Sequence, residues 1–410
     1  MATPLQSIDR IDSLDVLRGF AILGILVMNI QAFSMISQAY LNPTLGGTFT
    51  GVDFWLWLVA HVAFDSKFLA LFAALFGAGM VVMAERAEAA GAVPWRQHIR
   101  RMSILAVIGL IHAYGIWYGD ILFIYAVIGL IAFAFRKASI RRLLVFAALF
   151  YAVPVVVGLA MTALFFTMPG AEYDATVAAY WQPSAEAIAA QQEIYRSGWL
   201  GQMAQRIPDA ATMHLLALPM EEGWRVLGLM LAGMAALKSG LLTGAWSVQR
   251  YARTGLLSAA IGLSIVIAGV VFNQVTGWEM RTSLYLGALF NHIGAPLVTL
   301  AWACGVLLVL KRGLWAPVLG RLRAVGQTAL SCYLLTSVLC VTVFYGHGLG
   351  LFGRADRVEQ LLVVLAVWAV LLTVAPAWLR RFRMGPVEWL WRWGVKGEQP
   401  ALRRQAGVVA

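Results

Sequence analysis

Four polar residues that lie in or beside long apolar stretches could carry chemistry in this chain: His112, Asn29, Asp120 and Glu222. A charged side chain at the centre of a bilayer costs about 2.5–3.5 kcal/mol on insertion scales, so such a residue is a functional candidate by default. A histidine can accept a proton near neutral pH, a carboxylate can orient it, and an amide can donate a hydrogen bond to a developing oxyanion. These residue types therefore indicate proton or group transfer, if the fold brings them together.

The depths of two of these residues follow from helical rise. Asn29 is eleven residues beyond Arg18, and His112 is eleven residues beyond Arg101. At the rise of an α-helix, each lies about 16 Å above the inner end of its helix. Asn29 and His112 are therefore predicted at one depth, close to the bilayer centre.

Glu222 belongs to a helix that runs inward and ends at Lys238, about 24 Å away. Arg225 is three residues beyond Glu222, so the two side chains share a helix face and could form an internal ion pair. Each candidate has a structural alternative of this kind. Asp120 suits the N-terminus of the following helix, and an intramembrane His or Asn often joins two helices by a hydrogen bond.

The composition indicates a membrane protein. Hydrophobic residues make up 61% of the 410 residues and charged residues 12%, whereas soluble domains carry roughly 25% charge. The net charge of +11 comes from short Arg and Lys clusters between apolar runs, which suit lipid headgroups and not nucleic acid. The sequence contains no metal-site spacing, so we predict no metal. It also contains no Gly-rich phosphate loop and no G-x-S-x-G turn. Gly77 and Gly79 lie inside an apolar run and are expected to serve helix packing.

The apolar runs predict an all-α bundle of about ten transmembrane helices. The predicted spans are Val16–Ile36, Phe68–Ala84, Met102–Tyr118, Ile121–Phe135, Leu143–Phe166, Thr212–Leu237, Gly255–Val275, Leu284–Leu310, Val325–Tyr345 and Val358–Leu379. Basic residues concentrate in alternate loops, which the positive-inside rule assigns to the cytoplasm together with both termini. Counts of eight or twelve stay open, because Phe54–Phe64, interpreted as an interfacial helix, could cross instead, and a weak span such as Ile121–Phe135 could be re-entrant.

This topology divides the chain into two membrane halves. Residues 1–237 form the N-terminal half, which includes a long outer loop at 168–211 interpreted as an extramembrane cap. Residues 238–396 form the C-terminal half, and we expect a disordered tail over 397–410.

Six strings, in order along the whole chain, resemble the YeiB-like family of bacterial inner-membrane proteins. They are Leu14–Ile25 with Met28–Ile30, Ala39–Pro43, Lys67–Gly79, His112 with Gly119–Leu122, Gly326–Leu334 with Phe344–Tyr345, and Gly385–Arg392. The strings of the C-terminal half resemble the family's domain of unknown function 418.

That family is similar to a wider group of transmembrane acyltransferases, which includes the lysosomal heparan-glucosaminide acetyltransferases. The resemblance implies that Asn29 lies near a reaction centre, since it matches the Asn that follows an acidic residue and Arg-Gly. The acetyltransferases use a His shortly beyond that Asn, whereas residues 31–43 contain none here. By depth, His112 is the nearest substitute.

The resemblance and the polar residues together favour an acyltransferase of the bacterial inner membrane. Acyl-CoA would be a co-substrate and not a covalently bound cofactor, with its phosphates held at the cytoplasmic face by Arg18, Arg101 and Arg253. The acceptor would arrive from the outer side as a sugar or an envelope lipid.

In this hypothesis His112 acts as the general base, Asn29 donates to the oxyanion, and Asp120 or Glu222 orients the histidine. The alternative is a transporter or flippase for a small metabolite or lipid, whose substrate or proton site would be the same polar centre. Membrane lipid is the expected neighbour in either case, and a homodimer is left open.

Overall fold

The computed structural model describes residues 11–404 except Gly46 and Thr48, and these residues are helical with no β-strand. The all-α prediction is confirmed. In the first half of the chain the helices are α1 (Asp12–Ser34), α2 (Ser37–Leu41), α3 (Gly51–Ala63), α4 (Lys67–Ala89), α5 (Pro94–Gly115), α6 (Leu122–Ala132), α7 (Ile140–Thr167), α8 (Gly170–Tyr180), α9 (Ala185–Arg196), α10 (Met203–Thr212) and α11 (Gly223–Lys238).

The second half continues the bundle. Its helices are α12 (Val248–Val275), α13 (Met280–Thr282), α14 (Ala288–Lys311), α15 (Ala316–Gln327), α16 (Ala329–Phe344), α17 (Arg357–Arg381) and α18 (Pro386–Lys396). The tail predicted to be disordered lies partly outside the described residues, at 405–410. Its earlier part returns to the end of α17, where the N–H of Arg383 donates to the carbonyl of Leu402 at 2.9 Å.

Several helices are long and apolar enough to cross a membrane, which indicates a membrane protein. Among the described residues, six stretches meet this criterion: Asp12–Ser34, Gly51–Ala89, Ile140–Thr167, Val248–Val275, Met280–Lys311 and Arg357–Arg381. The pair α15 and α16 would make a seventh span, and Leu122–Phe135 is a shorter apolar stretch. The count of ten spans and the cytoplasmic side of both termini stay predictions.

Span nine, predicted as one helix, is broken at Thr328. The chain turns there by 89° between α15 and α16. The carboxylate of Glu388, from α18, accepts the backbone N–H groups of Leu330 at 2.7 Å and Ser331 at 3.2 Å. Glu388 therefore satisfies donors that the first turn of α16 cannot pair within its own helix.

Span six is also irregular. The backbone over Met213–Glu222 is π-helical, and the α-helical part begins only at Gly223. Pro219 lies within the π-helical segment. π-helical turns are rare and are often found at functional sites, so the candidate Glu222 lies where the backbone changes its period.

The helices α4 and α11 cross closely because two glycines lie at the contact. A Cβ added at Gly77 of α4 would overlap the carbonyl of Met230, and one at Gly233 of α11 would overlap the carbonyl of Ala74. The packing role predicted for Gly77 is confirmed.

Candidate functional site

His112 and Asp120 form a buried pair at the C-terminal end of α5. Their side chains are 1% and 0% exposed, and His112 Nδ1 lies 2.8 Å from Asp120 Oδ1. The second carboxylate oxygen of Asp120 accepts the N–H of Phe123 at 2.7 Å, in the first turn of α6. Asp120 therefore caps α6, as its structural alternative predicted, and also holds the imidazole.

The pair leaves the second ring nitrogen of His112 without a partner. For an ionised carboxylate and a neutral imidazole, this hydrogen bond requires the proton on Nδ1 and leaves the lone pair on Nε2. Nε2 is buried and makes no hydrogen bond to any described residue. A histidine oriented in this way can take a proton from a substrate.

Close contact between α5 and α6 makes this geometry attainable. A Cβ at Gly109 would lie 2.8 Å from Asp120 Oδ2 and would overlap the backbone nitrogen of Phe123. Only glycine lacks this atom, so Gly109 allows the start of α6 to reach the helix that carries His112.

A narrow cavity lies near the pair. Its lining includes Asn29 and Phe33 of α1, Trp117 of the α5–α6 loop, and Tyr333, Thr336 and Ser337 of α16. His112 is not itself part of the lining. Its ring contacts Trp117 and Tyr333, with centroids 6.3 and 5.2 Å apart. The structure therefore brings Asn29 and the His112–Asp120 pair to one region, on two sides of these aromatic rings.

Glu222 lies in a second cavity, which has an empty volume of about 400 Å³. Its Oε2 is 2.6 Å from Arg225 Nη2, and the two side chains are 24% and 21% exposed. The cavity is also lined by Ser66, Tyr125 and Tyr151. The ion pair that the sequence spacing allowed is thus formed, and both of its members face open space.

The start of α6 lies between the two cavities. Ile121 lines the second cavity, while its backbone N–H donates to the hydroxyl of Tyr333 at 3.3 Å on the side of the first. Asp120, and not Glu222, is the carboxylate that contacts His112. The four residues selected from the sequence therefore fall into two neighbouring groups.

A third polar group surrounds Asp65 near the start of α4. The Asp65 carboxylate accepts from the hydroxyl of Tyr40 at 3.1 Å and from Nδ2 of Asn291 at 2.9 Å, and lies 3.1 Å from His61 Nδ1. Lys67 Nζ donates to Asn291 Oδ1 at 2.5 Å and to the carbonyl of His61 at 2.7 Å. The buried charges of Asp65 and Lys67 are thus hydrogen-bonded through a shared asparagine, as buried charges must be.

The arginines proposed for acyl-CoA lie in two places. Arg18 pairs with Asp15 at 3.1 Å and is within electrostatic range of Arg101. Arg101 lies over the ring of Trp391, 4.2 Å from its centroid, and forms no ion pair within the described part of the chain. Arg253 belongs to α12, which packs chiefly against α14. The structure therefore groups two of the three arginines.

The cap at 168–211 consists largely of helices and contacts the C-terminal end of α5. The carbonyl of Gly115 accepts hydrogen bonds from Trp199 Nε1 at 2.8 Å and from Arg206 Nη1 at 3.1 Å. These two donors, one of them a cation, satisfy a carbonyl that the end of the helix leaves free. Within the cap, burial raises the pKa of Asp209, although the hydroxyl of Tyr195 donates to it at 2.7 Å.

Sequence reasoning did not select Trp117 or Tyr333, which connect the cavity to His112. Trp117 lies close to the Gly119–Asp120 turn, and Tyr333 lies in one of the strings that resemble the family, so both carried a weak signal. Tyr40 and Asn291 were missed as well. Their partners are distant in sequence, and no local spacing relates them.

Comparison with known proteins gives consistent relatives over nearly the whole chain. Residues 236–398 match the family described as "Protein of unknown function (DUF418)". The chain is 36% identical to the uncharacterized protein YeiB of Escherichia coli, over 94% of this chain and 96% of that protein. It is 35% identical to the uncharacterized protein YxaH of Bacillus subtilis, over 95% of each chain. With more than a third of its residues shared with YeiB along the full length, this chain belongs to the YeiB-like DUF418 family.

Proposed function

We propose that this protein transfers an acyl group from acyl-CoA to a hydroxyl or amine acceptor in the bacterial inner membrane. One observation carries the proposal: Asp120 fixes His112 through Nδ1 and leaves Nε2 buried and unpaired. A packing histidine in a membrane helix would be expected to use both nitrogens, since an unpaired polar atom is costly away from water.

The reaction would proceed as an acyl transfer in two stages. Nε2 of His112 takes the proton of the acceptor hydroxyl while the acceptor oxygen attacks the thioester carbon, and the carbonyl oxygen becomes an oxyanion. Asn29 donates a hydrogen bond to that oxygen. The carbon–sulfur bond then breaks, the thiolate takes the proton back from the imidazolium, and the products are an ester and coenzyme A. Asp120 stabilises the imidazolium that forms in between.

The helices support a donor that enters from the inner face. Arg101 and His112 lie on the continuous helix α5, about 16 Å apart along its axis. Arg18 and Asn29 are related in the same way on α1. The charge cluster of Arg18 and Arg101 suits the phosphates of coenzyme A better than Arg253 does, because an anion can contact two guanidinium groups together. The acceptor, a sugar or an envelope lipid, would then come from the side of the cap.

The test uses purified protein in lipid nanodiscs with radiolabelled acetyl-CoA and an envelope extract as the acceptor. We expect label to move to the extract and free thiol to appear, and His112→Gln to abolish both. His98→Gln is the matched control, since His98 is a buried histidine of the same helix whose Nε2 already bonds the carbonyl of Gly129 at 3.0 Å. Equal transfer by His112→Gln and wild type would remove the base from the mechanism, and no transfer by wild type would remove the proposal.

Transport is the second candidate, and the cavity of Glu222 and Arg225 favours it. A charged pair facing open space in a membrane bundle is typical of a substrate or proton site, and here it follows the irregular π-helical segment. Proteoliposomes without any acyl donor distinguish the two functions. Proton or metabolite flux that Glu222→Gln abolishes and His112→Gln preserves would favour transport.

A further inference from the structure

Trp117 carries a buried hydrogen-bond donor that has no acceptor. The residue is 2% exposed, and its Nε1 bonds to none of the residues between 11 and 404 that the structure describes. The indole nitrogen can only donate. Buried donors without partners are rare in native structures, and each indicates a bound water, an ion, a ligand or a functional role.

The indole ring is held from two sides and lines the cavity of Asn29. It stacks on Phe33 of α1, with centroids 3.9 Å apart and planes 23° from parallel. The edge of its six-membered ring lies against Gly119. A Cβ added to this glycine would lie 2.5 Å or less from two carbons of the ring. The backbone N–H of Trp117 donates to the carbonyl of His112 at 2.9 Å, so the ring is attached directly to the end of α5. The donor is therefore part of a rigid arrangement.

The rings of Trp117 and His112 lie side by side, and each carries a ring nitrogen that makes no hydrogen bond to a described residue. Nε1 of Trp117 lacks an acceptor, and Nε2 of His112, whose ring centroid is 6.3 Å away, lacks a donor. A group that carries a hydroxyl beside a carbonyl oxygen would satisfy both. This is the combination that meets when an acceptor hydroxyl approaches a thioester.

We infer that Trp117 is a catalytic residue that donates its indole N–H to the thioester carbonyl oxygen, as a second oxyanion donor beside Asn29. The inference rests on the proposed function. As the acceptor oxygen attacks, negative charge collects on the carbonyl oxygen, and the N–H stabilises that charge without forming a covalent bond. When the carbon–sulfur bond breaks, the charge leaves with the thiolate and the carbonyl is restored. A donor fixed before the reaction needs no rearrangement as the charge develops.

The experiment compares Trp117→Phe with Trp368→Phe in full-length protein in nanodiscs, using acetyl-CoA as the donor. Trp117→Phe keeps an aromatic ring beside Phe33 and removes the unpaired donor together with part of the indole volume, a loss that Trp368→Phe shares. Trp368 is the matched control, because its Nε1 donates to the carbonyl of Leu23 at 2.9 Å. We measure kcat, KM and the thermal unfolding midpoint of each variant.

For Trp117→Phe we expect kcat to fall about 10²–10³-fold, the range seen when one oxyanion donor is lost, with KM nearly unchanged. Its unfolding midpoint should fall less than that of Trp368→Phe, since both variants lose the same ring volume but only Trp368→Phe also loses a hydrogen bond. Trp368→Phe should show the reverse, a lower midpoint with normal kcat.

Full activity of Trp117→Phe beside an active wild type would overturn the inference and leave the proposed function standing. A midpoint lowered as much as that of Trp368→Phe would show that the N–H has a partner inside the protein, which also overturns the inference. An inactive wild type would overturn the proposed function and the catalytic role together, and the thermal comparison would then show separately whether the donor is unpaired.

Discussion

Replacing Asp120 by Asn tests the central pair most sharply, because the structure fixes how the new amide must lie. The N–H of Phe123 requires an acceptor, so the amide oxygen takes the place of Oδ2. The amide NH2 then faces Nδ1 of His112 and donates to it. Nδ1 becomes the acceptor, and the proton of the neutral imidazole moves to Nε2. The histidine stays in place but loses the lone pair it would offer to a substrate.

Stability and activity should therefore respond very differently to Asp120→Asn. Asn caps a helix about as well as Asp, so only the charge-assisted bond to His112 is weakened, at a cost of about 1.5–3 kcal/mol. The reversed tautomer should lower acyl transfer about 10³–10⁴-fold, by analogy with triad enzymes. Asp120→Ala removes the cap as well, which adds about 1 kcal/mol to the loss of stability.

Acyl transfer from labelled acetyl-CoA and equilibrium unfolding in detergent measure the two effects. A double-mutant cycle with His112→Gln serves as the control, since Asp120→Asn should cost almost no further activity once the histidine is gone. Normal transfer by Asp120→Asn would refute the assignment of Nε2 as the base. Equal stability of the Asn and Ala variants would refute the argument that Asp120 caps α6.

Three further predictions concern the elements around the site. Gly109→Ala should force α6 away from α5 at a cost of about 1–3 kcal/mol and reduce acyl transfer as well, and an unfolding curve that matches wild type would contradict the close contact. Glu388→Ala leaves the N–H of Ser331 and of its neighbour at the start of α16 without their acceptor, so stability should fall by about 1–3 kcal/mol. Limited proteolysis near the break should accelerate, and unchanged digestion would show that Glu388 does not hold the start of α16. Burial raises the pKa of Asp209, so the folded state binds a proton more readily than the unfolded one, and stability should decline as the pH rises through the folded pKa. In Asp209→Asn, unfolding midpoints across the pH range should lose that decline, and a decline of the same size in the variant would contradict the assignment.

The helices and the single residues of interest could be predicted from the sequence, and their grouping much less so. Helical rise from Arg101 was enough to place His112 about 16 Å further along α5, because a continuous helix has a fixed rise per residue. The break at Thr328 was not predicted. Gly326–Thr328 lies near the start of one predicted span, and the acceptor that stabilises the turn, Glu388, lies 58 residues beyond Leu330. Hydropathy indicates whether a segment lies in lipid or in water, and it does not indicate where the chain bends.

The grouping of the polar residues also depended on contacts that no spacing encodes. Asp120 follows His112 by eight residues, and a turn between the helices brings them together, so this pair was within reach of sequence reasoning. Glu222 was expected near His112 because both lie at similar depth. In the structure Glu222 lines a different cavity, where it pairs with Arg225 of the same helix.

Composition and the length of the apolar runs indicated a membrane protein and predicted its helices, because a helix pairs its own peptide groups within one continuous apolar segment. Tertiary structure decided which polar atoms are satisfied. The free nitrogens of His112 and Trp117 are free only because of where neighbouring helices put Asp120, Phe33 and Gly119. Whether a buried polar atom has a hydrogen-bond partner depends on positions in three dimensions, and a linear pattern of residue types does not contain those positions.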